Sequence, residues 1–424
     1  MIAKCLQSAT KRFGARCMAN VPWKMNDYYY NYQFTEKLNF IDHTVRFPLF
    51  RVMDLEGKII SPEYETLDKE FLLKSLGIMV EAREMDAVYN NAQRQNRITF
   101  YMTGTYEEGA NVAAASAIKD TDALFLQYRE FPMLMKRGYT PMMLLHNIKG
   151  NSQDNLLGKC FPLMNANPEI NIFSTSAPLG NRHPHSAGAG YYFRVKGMDK
   201  IACCVFGEGA ASEGDVHASM NFAATLGCQT LFYCRNNAYA ISTFRDDQYA
   251  GDGVAPRGIG YGMPAIKVDG SDFFAVFHAV KQARELIMKR KGPVIVEAYT
   301  YRGGDHSTSD SAASYRTKEK MATVNNYIEQ LGDPILRLGK YMQNKGMLTD
   351  YKAAIKEMGD KVRTQCLLNL KVIDEVKMPP IETMFEGVYK DMPWNVKEQR
   401  DELREHLKKF GDSYPIADFL PDKN

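Results

Sequence analysis

Residues Ile201–Gly209 read IACCVFGEG, an apolar run that ends in a glycine–glutamate–glycine triplet. A second apolar run, Gln229–Cys234, ends just before Asn236 and Asn237. Because the carboxyl ends of parallel strands meet at one edge of a sheet, Glu208 and Asn237 are predicted to face each other there. Mg²⁺ prefers such oxygen ligands and usually shares its coordination with substrate phosphates. The two stretches therefore predict a Mg²⁺–diphosphate site.

Two other interpretations of the glycine triplet remain open on spacing alone. A dinucleotide-binding turn needs a third glycine at a fixed spacing and, about 20 residues later, an acid for the ribose. The third glycine here is Gly214, where the pattern requires position 212, and Arg235–Asn237 contains no acid. These departures disfavour a dinucleotide. The other alternative is a plain glycine turn beside buried asparagines, which the spacing does not exclude.

Composition excludes several classes of protein. The chain has 424 residues, 45% hydrophobic and 24% charged, which is ordinary for soluble globular proteins and long enough for two or three domains. A net charge of +3 with interleaved signs predicts no nucleic-acid partner. The sequence contains no apolar run long enough to span a bilayer, so no membrane partner is predicted. Its eight cysteines lack metal-type spacing and suit a reducing compartment.

The two N-terminal segments differ from the rest of the chain. Residues 1–26 carry lysines and arginines but no acid before Asp27, a composition typical of a mitochondrial transit peptide. A disordered basic tail has the same composition and stays an alternative. Residues 27–62 are rich in aromatic side chains and are interpreted as an extended arm that packs either on a partner subunit or on its own domain.

The remaining pattern alternates strands with helices. A helix is predicted between Leu67 and Gln95, and a strand over Thr121–Arg129. The helix Glu213–Leu226 joins the first two apolar strands, and further elements are predicted at Ile266–Val268, Phe273–Lys289 and Val294–Tyr299. This order predicts an α/β fold with a doubly wound, mainly parallel sheet and helices on both faces over residues 63–335. Residues 336–424 are predicted to be helical, with an amphipathic stretch at Val396–Phe410.

Several motifs together resemble one family. They are Arg97–Thr103, Gln127–Glu130, Gly207–Asp215, Cys234–Thr243 and Tyr301–Asp310. They are similar, in the same order, to motifs of the α subunits of the decarboxylating component of mitochondrial branched-chain 2-oxo acid dehydrogenases. The resemblance runs from about residue 34 to residue 420. It implies a thiamine diphosphate-binding fold and an oxidoreductase of the mitochondrial matrix. Such an enzyme acts on 3-methyl-2-oxobutanoate and related 2-oxo acids, with a lipoyl group as acceptor.

The resemblance also implies the site residues. Mg²⁺ is expected at the Glu208 carboxylate, the Asn237 side chain and the Tyr239 carbonyl. Thiamine diphosphate is expected at Gln127, Tyr128, Arg129, Ala177, Leu179, Gly209, Ala210, Arg235 and His306. Two arginines at strand ends suit a diphosphate, since each offers a planar fork of donors. His306 is the expected catalytic residue, because its ring can exchange protons near neutral pH.

Partners and regulation are implied in the same way. A β subunit supplies the activating glutamate, so the expected assembly is an α₂β₂ heterotetramer. It passes the acyl group to the lipoyl-bearing dihydrolipoyl acyltransferase core. Ser307 matches the position at which a kinase switches the family off and a phosphatase restores it, and Thr317 matches a second, less important phosphorylation site. A phosphate at Ser307 adds about −2 charge beside the cofactor diphosphate.

The sequence departs from the family in a loop that binds K⁺ there. Ser176, Pro178, Asn181 and Arg182 occupy the ligand positions, but a guanidinium has no acceptor atom. We therefore expect Arg182 to take the place of the cation, or the loop to be braced differently. Residues 158–167 also lack the family's pattern. Asp305 replaces a histidine and would raise the pKa of His306 if the two side chains pointed the same way.

Two competing functions remain at this point. The pyruvate-specific α subunit usually reads GDGAANQG, whereas this chain has Glu208 and then Ser212–Asp215, which favours branched-chain acids. The other alternative is a non-catalytic regulatory or assembly subunit that has lost its chemistry through the altered loop. The intact Glu208, Asn237, Arg129, Arg235 and His306 argue against that loss.

Overall fold

The computed structural model describes residues 38, 45–173, 175–307, 310–311 and 317–422. Its strands are β1 (Leu49–Phe50), β2 (Ala123–Phe125), β3 (Ile172–Phe173), β4 (Ala202–Gly207), β5 (Thr230–Asn236), β6 (Tyr239–Ala240), β7 (Thr243–Phe244), β8 (Ala265–Asp269) and β9 (Val294–Tyr299). Its helices are α1 (Lys69–Arg94), α2 (Glu108–Ala117), α3 (Phe131–Lys136), α4 (Pro141–Lys149), α5 (Arg182–Val195), α6 (Gly214–Leu226), α7 (Arg245–Gln248), α8 (Arg257–Tyr261), α9 (Phe273–Arg290), α10 (Lys318–Leu331), α11 (Pro334–Asn344), α12 (Tyr351–Val372) and α13 (Trp394–Phe410).

Seven of these strands form one sheet in the order β1-β8-β9-β5-β4-β2-β3. Every neighbouring pair in it is parallel. β6 and β7 form a separate antiparallel hairpin. Parallel neighbours need a crossover, and α6 supplies the one between β4 and β5. The predicted α/β class and its mainly parallel sheet are confirmed.

Alternate residues of the central strands enter two different cores. On β4, Cys203 and Val205 lie in the larger core, together with residues of α1, α2 and α9. Cys204 and Phe206 lie in the smaller core with residues of α5 and α6. Successive side chains of a strand point to opposite faces, so the two cores lie on the two sides of the sheet. Helices therefore cover both faces, as predicted.

The predicted elements agree closely with the observed ones at the centre of the sheet. α9 begins after Asp272, whose side chain accepts from the Ala275 N–H at 3.1 Å and so caps the helix. α1 begins after Asp68, which caps it in the same way. The strand predicted over Thr121–Arg129 was too long, because only Ala123–Phe125 pairs with neighbours. Beyond it the chain turns, and the side chain of Glu130 accepts the Gln127 N–H at 2.5 Å.

Residues 45–62 pack on their own domain. Leu49 and Phe50 pair with Lys267 and Val268 of β8, and Val52 next to them is fully buried. The N–H groups of Val52 and Met53 both donate to the Asp272 carboxylate at 2.7 Å. Leu49 and Phe50 therefore make this part of the arm the edge strand of the sheet. The predicted transit peptide and most of the preceding arm lie outside the described residues.

The C-terminal region is helical, as predicted. α12 packs along α1, and α11 places Arg337 in the core, where it bonds Asp269 at 2.8 Å. α13 matches the predicted amphipathic stretch and buries none of its described residues. The division into domains at residues 335 and 336 stays a prediction. Among the described helices, none combines the length and the apolarity that a membrane span requires.

Candidate active site

The parallel register of β4 and β5 brings the two key side chains together. Gly207 pairs with Arg235, so Glu208 and Asn237 follow at the same edge of the sheet. The Asn237 N–H donates to Glu208 Oε2 at 3.1 Å. The Glu208 side chain is 1% exposed, and its Oε1 has no hydrogen-bond partner among the described residues. A buried acceptor without a partner is costly, and a cation would satisfy it.

Burial raises the pKa of Glu208 to about 7. The backbone N–H of Asn237 lowers this pKa, and the charge of Glu107 raises it further. A bound divalent cation favours the ionised carboxylate. Burial thus favours the protonated form of this carboxylate, and a cation bound to its oxygens would displace the proton.

The backbone around Glu208 and Asn237 has little conformational freedom. A Cβ on Gly209 would lie 2.7 Å from Cβ of Ala240, so only glycine fits there. Ala238 has a φ of 68°, and its N–H donates to Asn236 Oδ1 at 3.1 Å. The Tyr239 N–H donates to Asn237 Oδ1 at 3.2 Å. The tight turn thus holds the Asn237 side-chain oxygen beside the Tyr239 backbone N–H, and the carboxylate and amide oxygens of Glu208 and Asn237 are hard donors that fit Mg²⁺.

Two buried glutamates hold Arg235. Its Nη1 pairs with Glu107 and its Nη2 with Glu130, and all three side chains are 0–2% exposed. Its Nε has no hydrogen-bond partner among the described residues. Glu107 also accepts from Asn237 Nδ2 at 2.6 Å. Glu107 therefore connects the guanidinium to the carboxamide, a role that the sequence analysis missed.

Gln127, Tyr128 and Arg129 reach the same place from the end of β2. Gln127 Oε1 accepts from the Gly207 N–H at 3.1 Å. The Tyr128 hydroxyl lies 3.3 Å from Nε2 of His306, and Arg129 Nη2 donates to the His306 carbonyl at 2.6 Å. Arg129 is 3% exposed. The structure therefore brings the predicted glutamine, tyrosine, arginine and histidine together.

His306 is neutral in this environment. Burial and the charges of Arg129 and Arg302 lower its pKa to about 4, against the charge of Asp310. The Asp310 carboxylate also accepts a hydrogen bond from the backbone N–H of His306 at 2.7 Å. Asp305 instead pairs with Arg94 at 3.1 Å. The condition under which Asp305 was expected to raise the pKa of His306 is therefore not met, and burial, followed by the charges of the two arginines, lowers that pKa instead.

The other predicted residues lie on neighbouring turns or in separate segments of the chain. Ala210 begins a buried single turn before α6, and half-buried Ser307 follows His306. Thr317 is exposed, and its hydroxyl accepts the Lys320 N–H at 3.2 Å near the start of α10. Ala177 is exposed, and Leu179 packs against the smaller core. Among the described residues, no hydrogen bond joins Ala177 or Leu179 to the cluster around Glu208.

Comparison with known proteins adds independent evidence. Residues 77–382 match the family described as dehydrogenase E1 component. The chain is 40% identical over 390 residues to the mitochondrial 2-oxoisovalerate dehydrogenase subunit alpha of Bos taurus, covering 91% of this chain and 84% of that protein. The protein of the same name from Caenorhabditis elegans is 37% identical over 425 residues, covering 98% and 97%. That from Dictyostelium discoideum is 39% identical over 395 residues, covering 93% and 88%.

Proposed function

Since this chain belongs to the dehydrogenase E1 component family, we propose that it is the α subunit of a mitochondrial branched-chain 2-oxo acid dehydrogenase. Its curated relatives carry the name 2-oxoisovalerate dehydrogenase subunit alpha, mitochondrial. With a β subunit it decarboxylates branched 2-oxo acids in the matrix and transfers the acyl group to lipoyl groups of an acyltransferase core. The partner subunit follows from the relatives' designation as subunit alpha.

The observation that carries the proposal is the buried pair of Glu208 and Asn237 beside Arg129 and Arg235. Glu208, Asn237 and the Tyr239 carbonyl would hold Mg²⁺, since they supply only hard oxygen donors. The unpartnered Nε of Arg235 and the guanidinium of Arg129 would face the diphosphate. The Gly209 and Ala210 N–H groups would add backbone donors. Thiamine diphosphate, when bound, supplies the electron sink that decarboxylation requires.

His306 is the proton-exchanging residue of the proposal. Its ring is neutral at pH 7, so it can accept a proton from a reacting group. The Tyr128 hydroxyl fixes the ring through Nε2, and Arg129 holds the backbone carbonyl of the same residue. Gln127 stabilises the end of β4 through the Gly207 N–H. These contacts orient the ring before substrate arrives.

Phosphorylation of Ser307 is proposed as the off-switch. The hydroxyl follows His306 directly, and Arg129 lies within hydrogen-bond distance of that histidine's carbonyl. A phosphate there would compete for the arginine that the cofactor diphosphate requires. Thr317 is a weaker candidate, because a phosphate at the start of α10 sits where a helix tolerates negative charge. A kinase and a phosphatase are the regulatory partners that this proposal requires.

The test is decarboxylation by this chain co-expressed with its β partner, with Mg²⁺ and thiamine diphosphate. Turnover should be faster on 3-methyl-2-oxobutanoate than on pyruvate. Glu208→Gln should abolish it, whereas Glu285→Gln, at an exposed acid on α9, should leave it unchanged. A well-formed complex that prefers pyruvate, or that shows no turnover, would contradict the proposal.

A further inference from the structure

Side chains of the segment from Thr175 to His183 form hydrogen bonds within that same segment. Arg182 is the first residue of α5, and its Nη2 donates to the Thr175 carbonyl at 3.2 Å. Its Nη1 lies 3.1 Å from Nδ1 of His185. The guanidinium therefore joins the start of the segment to the start of the helix, and it does so as a fixed positive charge.

The oxygens at the family's K⁺ positions are largely engaged within the protein. The Ser176 hydroxyl donates to the Pro178 carbonyl at 3.3 Å, and Asn181 Nδ2 donates to Ser176 Oγ at 2.8 Å. Asn181 Oδ1 has no partner among the described residues, and the Arg182 side chain supplies no oxygen. One free side-chain oxygen beside a guanidinium is a poor cage for a second cation, so these residues do not fit K⁺.

His183, at the C-terminal end of the segment, packs into the core of the domain. The His183 ring is 1% exposed and packs against Phe206, with ring centroids 4.4 Å apart. The ring Nδ1 lies 3.0 Å from the Gly180 carbonyl oxygen. The same oxygen also accepts a hydrogen bond from the backbone N–H of His183 at 3.0 Å. Gly180 has a φ of 82°, a conformation that favours glycine. The turn is thereby fixed to the core of the domain.

The second stretch that departs from the family braces the same segment. The Thr175 N–H donates to the Asn165 carbonyl at 2.8 Å, and the Asn165 N–H donates to Thr175 Oγ1 at 2.5 Å. Both residues are buried. The departing stretch 158–167 is therefore bonded to Thr175, which directly precedes the departing loop 176–182.

From these contacts we infer that Arg182 is a built-in replacement for the monovalent cation, and that this protein needs no K⁺. The guanidinium supplies the positive charge, and the paired Thr175 and Asn165 supply the rigidity that an ion would otherwise give. The inference rests on the proposed family role of this loop in holding the cofactor. It concerns the stability of the loop, however, and its test needs no turnover.

The test is the melting temperature of the complex of this chain with its β partner in KCl and in choline chloride at equal ionic strength. The native complex should melt within about 1 °C in both salts, with or without Mg²⁺ and thiamine diphosphate. Arg182→Gln removes the charge and restores an oxygen donor. It should lower the melting temperature in choline chloride by about 2–4 °C, the loss expected for one hydrogen bond, and KCl should restore it.

Arg194→Gln is the matched control, since Arg194 lies on the same helix and donates to a backbone carbonyl, that of Leu226. Its effect should be equal in the two salts. A native complex that melts higher in KCl, or an Arg182→Gln complex as stable as the native one in choline chloride, would overturn the inference. Neither result depends on substrate, so failure of the proposed activity leaves this test intact.

Discussion

Replacing Glu107 by glutamine should weaken the binding of Mg²⁺ and thiamine diphosphate by about 10- to 150-fold. The carboxylate accepts from Asn237 Nδ2 at 2.6 Å and pairs with Arg235, so it fixes both the proposed metal ligand and the proposed diphosphate donor. A hydrogen bond to a charged group contributes about 1.5–3 kcal/mol. At about 1.4 kcal/mol per tenfold change, that range gives the expected loss of affinity.

Replacing Glu107 also has a smaller effect in the opposite direction, which strengthens metal binding. The charge of Glu107 raises the pKa of Glu208, so its removal leaves more of this proposed metal ligand ionised. With that pKa at about 7, full ionisation at pH 7 would improve metal binding by only about twofold. Measuring at pH 8 removes most of this gain, because Glu208 is then mainly ionised in both proteins.

The assay is calorimetric titration of thiamine diphosphate into the complex with its β partner at saturating Mg²⁺, followed by the reverse titration. Glu108→Gln is the matched control. Glu108 is the next residue, equally buried, and it bonds Arg83 at 2.8 and 3.0 Å. It should cost folding stability without changing cofactor affinity more than about twofold. Unchanged affinity in Glu107→Gln at pH 8 would refute the reasoning.

Three further predictions follow from the same structure. His306 should not titrate between pH 8 and pH 5 in NMR spectra of the cofactor-free complex, since its pKa is lowered to about 4, and a midpoint near 6.5 would contradict this. Burial lowers the pKa of His183 to about 4, so the folded state binds fewer protons than the unfolded state between pH 4 and 6.5. The free energy of unfolding should therefore fall by about 3 kcal/mol as the pH drops through that range, and urea titrations of His183→Phe should show a flatter pH dependence. Ser307→Glu should lower turnover at least about tenfold by adding charge beside His306, with Ser307→Ala as the active control in the same decarboxylation assay.

The sequence predicted the centre of the sheet well because its signals there are local. β4 and β5 contain the continuous apolar runs Ala202–Phe206 and Leu231–Cys234, as expected for strands buried on both faces, and a glycine turn marks the end of β4. Glu208 and Asn237 could be placed together because parallel register follows from that order. β1 was missed because two residues, Leu49 and Phe50, carry no periodicity.

The electrostatic partners could not be read in the same way. Glu107 directly precedes α2, a helix of mainly small residues. An acid at that position interacts favourably with the helix dipole, so its presence in the sequence does not indicate a distant partner. Its partner Arg235 is 128 positions away, and only the folded chain brings the two together. The pairing of Asp305 with Arg94 could not be predicted for the same reason, because the two residues lie 211 positions apart in the sequence. Which charged residues pair in this way depends on the tertiary structure and cannot be predicted from the local sequence pattern.

The edge strand β1 constrains the order in which the chain can fold. Its partner β8 lies more than 200 positions later, as the bond from Arg51 to Asp269 across 218 positions illustrates. A chain that emerges N-terminus first must therefore keep this segment unpaired until β8 has followed. Contacts of such long range slow folding and leave an edge open to other chains. We expect β1 to dock late, as the step that closes an otherwise formed sheet.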